Sequence, residues 1–93
     1  MTAQPFRAIA LDHREPVVHE LPPLRLSDQL ISLHLRIRRS DDGAWRGRLL
    51  FHHPSGRDCE TAEIFCGITE DELWQSVRGL RDHHVRALYL SLV

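Results

Sequence analysis

The chain contains neither lysine nor asparagine: all 12 basic residues are arginine. The simplest cause is a GC-rich genome, because Lys and Asn codons are AT-rich. Arginine in place of lysine is therefore weak evidence for planar, bidentate recognition. No apolar run approaches the length of a membrane span, and "MTAQPFRAIALDHREP" has no basic segment leading into an apolar one. A soluble, cytoplasmic protein is expected, with no membrane partner. Cysteine is scarce, with only Cys59 and Cys66. Read as lying on one strand, they sit seven apart, face opposite ways and lie roughly 20 Å from each other. They cannot pair, and free thiols fit a reducing compartment. The formal charge is −1, so the basic excess of a generic nucleic-acid binder is also missing.

The chain holds no nucleotide-binding glycine loop, no nucleophile elbow and no metal-ligand spacing of a structural zinc site. Its seven histidines include pairs at 52–53 and 83–84, but adjacent residues point apart on a strand or a helix. No metal and no cofactor is expected. The least remote ligand set is His52 and Cys59 with His34 nearby. Cys59 beside His52 is also the one pair with a geometric reason to act as nucleophile and base. No orienting group or oxyanion site accompanies it, so a non-enzymatic role is expected.

The chain has 93 residues with 42% hydrophobic and 27% charged content, ordinary values for one small globular domain. The reading is α+β over 1–93: an irregular N-terminal arm over 1–29, an antiparallel β-meander over 30–67 and a helix over 69–91. The meander has three core strands, with room for one or two more from the arm. There "FRAIAL" (6–11) reads as a short strand and "VVHEL" (17–21) as at best an edge strand, because Pro16, Pro22 and Pro23 flank it closely. The arm's alternative is an ordered loop over a sheet face.

Ile31, Leu33, Leu35 and Ile37 alternate with Ser32, His34, Arg36 and Arg38, the pattern of a half-buried strand. "SDDG" with Gly43 suits a type I turn with a G1 bulge, which pairs Ser40 with Ala44. Ile37 then faces Gly47, Leu35 faces Leu49 and Leu33 faces Phe51. On the other side Arg36 meets Arg48, Arg38 meets Arg46 and His34 meets Leu50. After "HPSGRD" a third strand is expected over about 58–66. A four-residue loop keeps Ala62, Ile64 and Cys66 on the apolar face and sets Glu63 beside Arg48 and Cys59 beside His52. A three-residue loop turns Glu63 toward the core, so four is preferred.

"GITEDELW" carries an N-cap at Thr69 and a capping box with Glu72. Leu73, Val77, Leu80, His84, Ala87 and Leu88 fall on one arc at about 100° per residue, which predicts a single helix over 69–91, with Gly79 as a weak point and His84 as a core residue. Its alternative is a helix ending near His83 followed by a fourth strand. Trp45 and Trp74 are expected in the core.

Arg36, Arg38, Arg46 and Arg48, with His34 and His52 on the same face, are the candidate binding residues. Opposed like charges cost about 0.2–1 kcal/mol per pair, small against a total stability of about 5–15 kcal/mol, so the face needs no function to persist. The plainest reading is solvated arginine, or arginine paired with Glu63, Asp12, Glu15 or Glu20. The functional reading is a protein contact surface through which the chain self-associates, a homo-oligomer or protein partner being expected, because Leu50 and Phe65 would stand among the charges. A nucleic-acid or polyanion-binding module is the alternative, opposed by the net charge.

Overall fold

A computed structural model of the chain describes residues 15–93; the strand expected at 6–11 lies outside them. Seven elements follow in order: β1 (Val17–Leu26), β2 (Gln29–Arg39), β3 (Trp45–His52), β4 (Asp58–Glu60), β5 (Phe65–Gly67), α1 (Glu70–Arg78) and α2 (Asp82–Leu92). All strand pairings are antiparallel, in the order β1-β2-β3-β4, and β5 also pairs with β3. The α+β class and the antiparallel sheet agree with the sequence reading.

β1 is longer than the edge strand expected over 17–21. Leu21 pairs with Leu33 and Leu24 with Ile31, so Pro22 and Pro23 sit where β1 carries one residue more than β2. A bulge tolerates their missing N–H groups. Ser27 has φ 57° in the two-residue turn to β2, the positive value that such hairpin turns require.

The β2–β3 hairpin has the expected register. Ser40 N–H donates to Ala44 O (2.8 Å), Gly43 N–H donates to Ser40 O (2.9 Å), and Gly43 has φ 88°. Ile37 opposes Gly47, Leu35 opposes Leu49 and Leu33 opposes Phe51.

The third strand differs from expectation. His53 N–H donates to Arg57 O and Gly56 N–H to His53 O, both at 2.9 Å, with Gly56 at φ 93°. This repeats the "SDDG" geometry, so the loop has three residues and His52 pairs with Asp58. Carried on unbroken, that register would set Glu63 opposite Gly47, on the core side. The chain avoids this by inserting two residues: Leu50 pairs with Glu60, yet Gly47 pairs with Phe65. An even insertion preserves the alternation and moves Phe65 into the place Glu63 would have taken. Phe65 is buried, whereas Ala62, Ile64 and Cys66, expected inside, are exposed.

Two helices replace the single one expected over 69–91, and no fourth strand follows. Thr69 caps α1, accepting from Glu72 N–H at 3.2 Å, while the Glu72 carboxylate accepts from Ile68 N–H at 2.9 Å. The chain turns extended at Arg81 (φ −105°, ψ 164°) before α2 begins. On one straight helix Tyr89 would lie about 160° from Leu73, pointing away from the sheet. The break rotates α2 so that Val85, Leu88 and Tyr89 face inward and Tyr89 meets Phe51 at 5.1 Å. His84 is thereby turned out. It is exposed, and its Nδ1 accepts from Arg81 N–H at 3.2 Å.

Both helices lie on one side of the sheet. Beneath them Ile31, Leu35, Leu49, Phe51 and Leu73 are fully buried, and Trp45 and Trp74 pack at the margin of this core. No helix among the described residues is long and apolar enough to cross a membrane.

Candidate functional site: the outer sheet face

The turn that aligns Leu35 with Leu49 necessarily aligns Arg36 with Arg48 and Arg38 with Arg46 on the face away from the helices. His34 and His52 are there too, their rings 5.1 Å apart and edge to face. The six candidate residues therefore share one surface.

Acidic side chains interleave with them. Arg38 binds Glu63 through two parallel hydrogen bonds, from Nε (2.7 Å) and Nη2 (2.8 Å), the bidentate geometry that makes a guanidinium–carboxylate pair specific. This pair holds the Glu63 carboxyl below the usual range and raises Arg38. Arg36 Nη2 donates to Glu60 Oε1 at 3.1 Å, and Arg48 Nη1 donates to the same oxygen. Arg46 pairs with Asp42 at 3.2 Å. Hydrogen bonds from the Ser40 hydroxyl and the Ala44 N–H, with Arg46 alongside, hold Asp42 down to about 2. His52 Nδ1 lies 2.9 Å from Asp58 Oδ1. His34 Nδ1 is buried and has no partner among the described residues.

Glu63 thus forms its hydrogen-bonded pair with Arg38, with Arg48 near enough to act on its carboxyl, and Glu60 bridges Arg36 and Arg48. The parallel between "SDDG" and "HPSG" is the sequence signal for Glu60: the same turn sets Glu60 opposite Leu50, within reach of both arginines. Two other expectations are corrected. Cys59 opposes Phe51 on the inner face, away from His52, and burial pushes its thiol up, away from the thiolate a nucleophile needs. Phe65 stands in the core instead of among the charges. Leu50 is left as the half-buried apolar residue between Arg48 and His52.

No group of three His, Cys, Asp or Glu among the described residues is placed to hold a metal ion. A recess of about 260 Å³ opens on the opposite side, between the Pro22 bulge and the helix break, walled by Leu21, Trp74, Val77, Leu80 and Val85. Its charged lining residues are Arg78 and Asp82.

No protein-family model, curated protein or solved structure matches this chain.

Proposed function

We propose that this is a non-enzymatic protein-interaction domain whose contact surface is the outer sheet face, and that the face receives carboxylates of a protein partner. One observation carries the reading: Arg36 and Arg48 share a single oxygen of Glu60. Each guanidinium has five N–H donors, and the hydrogen bonds among the described residues use one from each. An incoming carboxylate finds donors already aimed and held flat by the sheet, with Leu50 beside them for apolar contact. Such pairing sets specificity and association rate more than affinity.

The interleaved acids favour a protein's carboxylates over a nucleic acid. Four guanidinium groups meet three carboxylates, so the patch carries little net charge for a phosphate backbone, whose binding depends on many unshared cations. Of the two apolar contacts expected for self-association through this face, Leu50 remains and Phe65 is in the core.

The test is binding of a fluorescent poly-glutamate peptide at low salt, with duplex DNA as competitor. The reading expects binding that weakens at least tenfold in Arg36→Glu/Arg48→Glu, with unchanged circular dichroism. Failure to bind the peptide sinks it. Tighter binding of DNA through the same arginines would favour the polyanion-binding module instead.

A further inference from the structure

β1 is the outermost strand, and among the described residues it pairs only with β2. An edge strand presents a row of unpaired backbone groups, which natural sheets blunt with charge, proline, bulges or brevity. Beyond the Pro22–Pro23 bulge β1 is so protected, and Arg25 lies two residues further on. Before the bulge lies Val17-Val18-His19-Glu20-Leu21, in which Glu20 is the one acid and no residue is Lys or Arg. Val17 and Val18 are 48% and 51% exposed.

We infer that this edge pairs with the same segment of a second copy, antiparallel about His19, to make a two-fold dimer with one continuous sheet. The sequence itself selects that register. The segment is bounded by Pro16 and Pro22, equidistant from His19, so centring on His19 leaves both prolines outside the pairing at either end. Val17 then opposes the partner's Leu21, and Val18 opposes the partner's Glu20. A shift that centres on Glu20 would set two carboxylates face to face, which is destabilising. A shift that centres on Val18 would bring Pro16, which has no N–H, opposite the partner's Glu20. The favoured register forms about four to six backbone hydrogen bonds, and isologous contact of this kind closes at two subunits.

Joining the edges places both helix layers on one side and both arginine faces on the other. This inference does not depend on the proposed function, since Arg36 and Arg48 take no part in the pairing.

A charge-swap series read by sedimentation velocity over a concentration range tests it. Wild type is expected to approach twice the 10.8 kDa chain mass as concentration rises. Val18→Glu would oppose two carboxylates on each side of the axis and weaken the dimer at least tenfold. It leaves the monomer sound, because residue 18 is exposed and opposes Arg36 of its own chain. Adding Glu20→Arg turns each opposition into an attractive pair and should restore the dimer. Arg36→Glu/Arg48→Glu should leave it intact, which separates failure of the edge from failure of the face. A wild type that stays monomeric at its highest soluble concentration overturns the inference, whatever then occupies the edge. A dimer indifferent to Val18→Glu overturns it equally.

Discussion

Thr61 closes the sheet where two residues are inserted. It is 5% exposed, and its Oγ1 accepts from Leu49 N–H at 3.0 Å while donating to Ala62 O at 2.6 Å. The side chain supplies the acceptor that the interrupted strand cannot. Thr61→Val keeps the volume but leaves that N–H unpaired, and the expected loss is about 1–3 kcal/mol in urea unfolding; Thr61→Ser should lose less. Gly67 is constrained by space: a Cβ there would stand 2.7 Å from Leu73 N and 2.8 Å from Thr69 O. Backbone atoms cannot yield as a side chain can, so Gly67→Ala is expected to destabilise by about 1–3 kcal/mol. At Asp42 the folded state holds the carboxyl down to about 2 from an ordinary 3.8. A lowered folded value means stability that is present above the ordinary value and lost as pH falls through the folded one. Glu63 acts in the same direction. Thermal melts should therefore weaken between about pH 4 and pH 2, and less so in Asp42→Ala, which lacks one of the two groups.

Among the elements, the β2–β3 hairpin is legible in the sequence because two independent signals agree: the turn chemistry of "SDDG" and the alternation from Ile31 to Ile37. After "HPSG" they conflict. The turn chemistry, with Gly56 in the role of Gly43, asks for three residues, whereas the apolar Ala62, Ile64 and Cys66 ask for four. Alternation is a poor guide there because it assumes a continuous strand, and the structure satisfies the turn by breaking the strand. Glu60 escapes the sequence reading, and Glu63 is assigned to Arg48 in place of Arg38, for that reason alone. The helix differs from expectation for a related cause. Val85, Leu88 and Tyr89 form their own stripe, out of phase with Leu73 and Val77, and only a break lets both stripes face the sheet. Gly79 does not cause that break: its φ of −78° is helical and a Cβ would meet nothing closer than 3.5 Å. Gly79→Ala is accordingly expected to raise stability by about 0.4–1 kcal/mol through the unfolded chain. Leu73→Ala, which empties a fully buried site, should cost about 2–5 kcal/mol, and Leu80→Ala at the half-buried break clearly less.

The described residues form two layers, helices on sheet, with one sheet face covered by packing and the other carrying a lattice of ion pairs. Exposed pairs of this kind contribute about 0–1 kcal/mol each, so the lattice is a weak source of stability. Its acids instead hold the arginines engaged. Glu60→Gln should hence change the unfolding free energy by less than about 1 kcal/mol while strengthening poly-glutamate binding, since it removes the carboxylate that competes for Arg36 and Arg48. Equal binding by wild type and variant would show that Glu60 does not gate the face. The order of the strands also bears on how quickly the chain reaches this state. β1 pairs with β2, β2 with β3 and β3 with β4, across tight turns of two, three and three residues, so most of the sheet closes through short loops. Only β5 reaches back past β4 to β3. Rates fall as contacts become more distant along the chain. The β2–β3 hairpin, with its well-matched turn, is therefore expected in the folding nucleus, and β5 with α1 docks after it. Destabilising substitutions at Leu35 or Leu49 should slow refolding, whereas those at Phe65 or Leu73 should mainly hasten unfolding.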